Sequence, residues 1–106
     1  MISIAQDGSL DLNFGMDGIV TSAIGSAHDI GNSVAIQNDG KIVVAGYSGN
    51  NLALIRYNHN GSLDHNFGSQ GIVITNLGCA NASGSSLLLQ MDGKIVVGGY
   101  CDFPKL

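Results

Sequence analysis

The sequence has no glutamate and no tryptophan, and only one proline and three phenylalanines. Every side-chain carboxylate is therefore an aspartate. Glutamate favours helices whereas aspartate favours turns and caps, so the chain is poor in helix-building residues. Charge is scarce too: 11% of residues are charged and the net charge is -4. The basic residues are Lys41, Arg56, Lys94 and Lys105. Four dispersed cations do not make the basic face that phosphate binding needs, which excludes nucleic acid as a partner. No apolar run approaches the roughly 20 residues of a membrane-spanning helix, so no membrane insertion is expected. Met1-Ile2-Ser3-Ile4-Ala5 lacks the basic start and long apolar stretch of a secretory signal, and two cysteines do not fix a compartment, so localisation stays open. With 44% apolar residues, the 106-residue chain is nonetheless hydrophobic enough to fold, as a single domain.

What the chain does have is glycine, sixteen of them, and repetition. Residues 8–20 read GSLDLNFGMDGIV and residues 61–73 read GSLDHNFGSQGIV. Residues 37–47 read QNDGKIVVAGY and residues 90–100 read QMDGKIVVGGY. Both pairs share an offset of 53 residues, and the chain is twice that length. The register also continues from residue 106 to residue 1, with Met1 to Ile4 in the slots of Leu54 to Tyr57.

Within one repeat, Ser33–Gln37, Lys41–Tyr47, Leu52–Tyr57 and Gly71–Thr75 are short apolar runs rich in β-formers. Asp39-Gly40 and Asp92-Gly93 are hairpin signals, because both turn positions accept positive φ. Between the third and fourth runs, Leu63 and Phe67 are spaced for one face of a helical turn with Ser62 as cap, as are Leu10 and Phe14 in the other copy. Four short strands per repeat of about 50 residues is the arithmetic of a β-propeller blade. The expected fold is all-β: two four-stranded blades in a single propeller segment, residues 1–106.

The run Asn-Gly-Ser-Leu-Asp…Phe-Gly…Gly-Ile-Val, then Gln-x-Asp-Gly-Lys-Ile-Val-Val-x-Gly-Tyr, then Leu-Ala-Leu-Ile-Arg-Tyr-Asn, resembles the bacterial delta-60 repeat. The resemblance covers nearly the whole chain and departs from the pattern at Cys101-Asp102-Phe103-Pro104. It implies β-propeller blades, usually in long arrays within large, often exported bacterial proteins. It implies no activity, cofactor or catalytic residue set.

A propeller has about 4–8 blades, so two must be supplemented. The expected partner is the chain itself, in a cyclic homo-oligomer, with a trimer of six blades favoured. The third strand of one blade would then be split between residues 105–106 of one chain and residues 1–4 of the next. A truncated fragment of a longer array is the alternative.

Candidate chemistry is sparse. His28, His59 and His65 lack the tight spacing of metal ligands, and the other copy has Asn81, Gln6 and Leu12 in their places. Asn58 to Asp64 resembles part of a calcium loop, but Arg56 stands at the first ligand slot and no glutamate closes it, so an Asx turn is expected. No catalytic triad order and no phosphate loop stands out. No metal, cofactor or catalytic residue is assigned. Loops before the first strand and after the second emerge on one side of each blade. That gives a candidate ligand face of His28, Asp29, Asn32, Asn50, Asn51, Asn81 and Asp102, polar enough for a small polar molecule or glycan. Cys79 and Cys101 replace Ser26 and Ser48 on that side. They are a candidate disulfide or thiol pair, or else two unrelated buried thiols. The leading reading is a structural or interaction module. An enzyme or metal site over the central tunnel, with one Asp29 per chain around the axis, is the alternative.

Overall fold

The computed structural model describes residues 1–25 and 28–102. All regular elements among them are strands: β1 (Asp29–Ile36), β2 (Ile42–Ser48), β3 (Asn51–Tyr57), β4 (Ile72–Thr75), β5 (Asn81–Leu89) and β6 (Ile95–Asp102). They form two antiparallel sheets, one ordered β1-β2-β3-β4 and one made of β5 and β6. The first sheet is a four-stranded meander built from one repeat. In both hairpins the glycine after aspartate takes positive φ, Gly40 at 87° and Gly93 at 86°, and its N–H closes the turn on Gln37 or Gln90. The Asp39 and Asp92 carboxylates accept the N–H two residues on, from Lys41 and Lys94.

Two local expectations change. Strand β1 reaches back to Asp29, and β5 to Asn81, into segments that read as loops. Each continues through a bulge, between Gly31 and Ser33 and between Gly84 and Ser86. A bulge accommodates one extra residue while pairing goes on, and glycine and polar residues hide it from an alternation count. The connector around Leu63 and Phe67 is a chain of turns, not a helical turn: Leu63 bridges to Tyr57, and the Asn60 and Asp64 carbonyl-type side-chain oxygens each accept the N–H two residues on. Asx turns satisfy the backbone locally and so outcompete a helix too short to propagate.

Residues 1–20 form no named strand, yet they copy residues 54–73 bond for bond. Ile2 bridges Ile19 as Ile55 pairs with Ile72, and Ile4 bridges Leu10 as Tyr57 bridges Leu63. The N–H of Asp11 donates to Ser3 at 2.8 Å, as that of Asp64 donates to Arg56 at 3.0 Å. This segment repeats the β3–β4 half of the four-stranded sheet, here called the outer half, and β5–β6 repeat its β1–β2 half, the inner half; the four-stranded sheet itself is called the complete blade.

The two halves do not meet. Directly paired residues on antiparallel strands point to the same side. By the observed register, Val43, Ala45, Leu52 and Leu54 share one face of the complete blade, and Val44, Gly46, Ala53, Ile55 and Tyr57 the other. Strand β5 packs on the first face: a side chain at Gly84 would run into Leu52 and touch Ala45, and the Leu87 N–H donates to Ser33 Oγ. Residues 1–24 pack on the second, where the Tyr57 hydroxyl donates to Ser22 Oγ at 2.9 Å. The Gly15 N–H also donates to the Asn60 carbonyl, 2.7 Å, linking the two connectors. The core therefore lies inside the complete blade's flanks, at Val43, Ala45, Ala53, Ile55 and Tyr57.

Candidate functional site

Antiparallel pairing collects the polar residues at one end. Asp29 lies opposite Ser48, Ser48 opposite Asn51, and Asn81 opposite Asp102. The Ala82 N–H donates to the Asn50 carbonyl at 3.1 Å and joins the sheets there, and the Gly49 N–H donates to the His28 carbonyl. All seven residues of the sequence-derived face thus share this end.

They do not share one role. Asp29 accepts three hydrogen bonds: Ser48 Oγ at 2.6 Å, Ile24 N at 2.9 Å and Gly25 N at 3.3 Å. The Ser48 hydroxyl above all, then the Ile24 N–H, holds its carboxyl below the usual carboxylate range. Asn32, the bulge residue, donates from Nδ2 to Ser83 Oγ at 2.8 Å and to the Gly84 carbonyl at 2.9 Å, clamping one sheet to the next. These two side chains are structural. By exposure the seven are alike, with His28, Asn32, Asn50, Asn81 and Asp102 exposed and Asp29 and Asn51 half-buried; what sets Asp29 and Asn32 apart is these hydrogen bonds.

Cys79 and Cys101 are joined by a disulfide at the same end, with Cα atoms 5.7 Å apart. The first repeat has a noncovalent staple instead. Ser48 stands where Cys101 does, and its hydroxyl donates to Asp29. Asp29 aligns with Ala82, which has no acceptor side chain, so the second repeat ties the same strand end with sulfur. Since Cys79 and Cys101 replace Ser26 and Ser48, those two serines are expected to be neighbours as well. Ser26 lies outside the described residues, and the paired change of Asp29 to Ala82 was the signal that pointed to Asp29 as a partner of Ser48.

Sequence reasoning also missed the opposite end. Asp64 is buried, accepts from Arg56 Nε at 2.8 Å and lies 3.5 Å from Lys41 Nζ. Arg56 in turn stacks over Phe67, 4.5 Å from the ring centroid. Burial pushes the Asp64 carboxyl up, but the Asn66 N–H, the Arg56 hydrogen bond and the two cations together hold it below its ordinary value. The Asx turn expected here forms, with Asp64 Oδ1 accepting the Asn66 N–H, and the same carboxylate also neutralises two cations. In the second copy the corresponding residues are Asp11, Ser3 and Lys94, and Lys94 is far from Asp11's half of the blade, exposed beside Asp92.

A cleft of about 520 Å³ runs along the second face of the complete blade. Its lining is mostly apolar, with Met1 and Val20 on one side and Val34, Val44 and Gly46 on the other. Among the described residues, no three His, Cys, Asp or Glu side chains are placed to share a metal ion.

A family described as "Domain of unknown function (DUF5122) beta-propeller" matches residues 37–67, which run from the β1–β2 turn through β3 into the connector. No curated protein and no solved structure matches. The match agrees with the all-β, blade-like sheets and carries no activity with it.

Proposed function

We propose that this chain is a structural or interaction module of delta-60 type: a homo-oligomeric β-propeller with two blades per chain, closed by three chains, presenting its polar end to a partner or small polar ligand. One observation carries the reading. The outer half-blade of residues 1–20 and the inner half-blade β5–β6 lie against opposite faces of the complete blade, so neither can complete the other within one chain. A second copy brings the missing half to each.

Surface area supports this. A compact monomer of 10.9 kDa exposes about 5,600 Å². The chain exposes 6909 Å². The excess, on the order of 1,300 Å², is close to the roughly 800 Å² per partner of a standard interface taken twice, as a ring requires. The exposed surface includes Ile2, Ile4, Val34, Ile36, Leu88, Val96 and Tyr100. Exposed large apolar side chains on both flanks of the chain suit faces that other blades cover.

Asp29 bears on the enzyme alternative. A ring of close catalytic carboxylates has raised pKa values. In the single chain Asp29 is already engaged by Ser48 Oγ and the Ile24 and Gly25 N–H groups, so its carboxylate is tied to its own strand end. The ligand surface is then the remaining set His28, Asn50, Asn51, Asn81 and Asp102, repeated once per chain around the axis.

Light scattering on the purified chain tests the assembly. A single species near 33 kDa, three times the 10.9 kDa chain, is expected. A stable, well-folded monomer at all concentrations overturns it, and leaves completion by further repeats of a longer array as the explanation of the open halves. Titration of the assembled protein with neutral oligosaccharides, followed by amide shifts at Asn50, Asn51 and Asn81, tests the polar end.

A further inference from the structure

The open edge of β6 has a definite complement in the sequence. In the complete blade, β2 pairs on both sides, with β1 and with β3. Strand β6 occupies β2's place in the second repeat but, among the described residues, pairs only with β5. The residues that face β2 on its open side are Leu54 to Tyr57, with Ala45 opposite Leu54, Val44 opposite Ile55, Val43 opposite Arg56 and Ile42 opposite Tyr57. Moved by 53 residues, those partners are Met1 to Ile4.

We infer that residues 1–4 of a second copy add to β6 as its antiparallel neighbour, Met1 opposite Gly98, Ile2 opposite Val97, Ser3 opposite Val96 and Ile4 opposite Ile95, and that an ion pair between Lys94 and Asp11 of the second copy fixes this register. The inference rests on the homo-oligomeric reading above and specifies its seam.

The charge pair follows from the same geometry. Lys41 lies 3.5 Å from Asp64 across the complete blade. Lys94 and Asp11 hold those two positions, but Lys94 is on the inner half and Asp11 on the outer half, so they meet only between copies. The pair matters more at the seam than in the complete blade. Asp64 has Arg56 as a second cation, whereas Asp11 has Ser3 there, whose hydroxyl lies 3.4 Å from Asp11 Oδ2. Lys94 is the one cation that the register brings to Asp11. Among the described residues of its own chain Lys94 has only Asp92, 3.9 Å away and exposed, a pair worth little in water. A one-residue slip would turn Ile2 and Ile4 to the other side of the sheet and part the charges, so apolar pattern and charge select the same register.

The other edge of the seam fits as well. Once residues 1–20 of the second copy have joined β6, that copy's complete blade is carried over the exposed Val96, Gly98 and Tyr100. Their counterparts Val43 and Ala45 are fully buried under β5 in the same relation. The surface that receives them is the apolar cleft lined by Val34, Val44 and Gly46.

Charge reversal tests the pair. Sedimentation equilibrium would measure the subunit dissociation constant of the wild type, of Lys94→Asp, of Asp11→Lys and of the double variant, with circular dichroism checking that each still folds. Each single reversal is expected to weaken assembly at least tenfold, and the double variant to return to within about threefold of wild type. Singles without effect, or a double variant as weak as the two losses combined, overturn the Lys94–Asp11 seam while an assembling wild type leaves the ring itself standing. A wild type that never assembles overturns both. Asp11→Lys is the variant more exposed to local misfolding, because Asp11 also receives the Asn13 N–H at 3.1 Å. Lys94→Glu combined with native Asp11 gives an independent reading, since Lys94 is exposed and its substitution leaves the single chain intact.

Discussion

Val43 and Val96 hold equivalent positions in the two copies and differ sharply in burial, 0% exposed against 44%. Substituting each by alanine separates what one chain holds together from what assembly adds. At Val43 the change removes two methyl-sized groups from a site closed on both sides. The lost transfer energy is about 1.6 kcal/mol at about 0.8 per group. A residual cavity of roughly 50 Å³ adds about 1.2 kcal/mol at about 24 cal/mol per Å³. Val43→Ala should therefore cost about 2–3 kcal/mol in a urea titration of the dilute chain. Val96 in a lone chain is half in water, and an open site leaves no cavity, so Val96→Ala should cost less than about 1 kcal/mol there. In the proposed ring Val96 would acquire the surroundings that Val43 has, and the remaining 1–2 kcal/mol should then appear in the subunit dissociation constant as roughly a 5- to 30-fold weakening. Both experiments are needed, because oligomer stability depends on concentration. If Val96→Ala leaves dissociation unchanged within twofold while Val43→Ala takes its full toll, the two faces are not equivalent and the packing argument fails.

The Asp64 cluster predicts an acid limb. Its folded pKa is lowered, as is that of Asp29, so both contribute stability above the unfolded value near 3.8 and lose it as pH falls through the lower folded value. Asp64→Asn should cost about 1–3 kcal/mol near neutral pH, less than a fully buried pair because Arg56 and Lys41 keep partial access to water, and should flatten the loss of stability below pH ~4 in acid titrations followed by circular dichroism. Breaking the disulfide, by reductant or by Cys79→Ser with Cys101→Ser, opens a loop of 22 residues and should remove about 3 kcal/mol in the chain-entropy model. A melting temperature unmoved by reductant, with both thiols counted as free, would refute a stabilising role.

The repeat and the hairpins were legible because they rest on local chemistry. Asp-Gly between two β-rich runs fixes Gly40 and Gly93 without reference to the rest of the chain. An offset of 53 residues then carries every pairing from one copy to the other. Three features were hidden for different physical reasons. The bulges at Asn32 and Ser85 break the two-residue alternation, so the starts of β1 and β5 read as loops. The connector resembles a helical turn because Leu63 and Phe67 are four apart, but Asx turns meet the same backbone needs in less chain. The partner of Ser48 is set by pairing across a hairpin, which places Asp29 opposite it; no property of serine announces that. Asp29 and Asn32 were singled out as ligand residues on composition. A polar side chain at a strand end has two uses, and only geometry separates the one that binds backbone from the one that faces water.

The opposite placement of the half-blades is a consequence of chain order. Residues 1–20 supply the third and fourth strands of a blade, and the next strand in sequence, β1, is the first strand of another. In a propeller a fourth strand leads into the first strand of the following blade. Residues 1–20 must therefore belong to the blade before the complete one, and β5–β6, which follow β4, to the blade after it. The two blades flanking a given blade in a ring are never the same blade once the ring has more than two. A single chain of this order cannot close on itself without tearing residues 1–20 from Tyr57 and Asn60, where they are held by the Ser22 and Gly15 hydrogen bonds. A second copy, as proposed above, would close the gap and keep every one of those contacts, as would further repeats of a longer array. On the proposed assembly, the exposed Ile2, Ile4, Val96 and Tyr100 are the two sides of one interface, displayed at opposite flanks of the same chain.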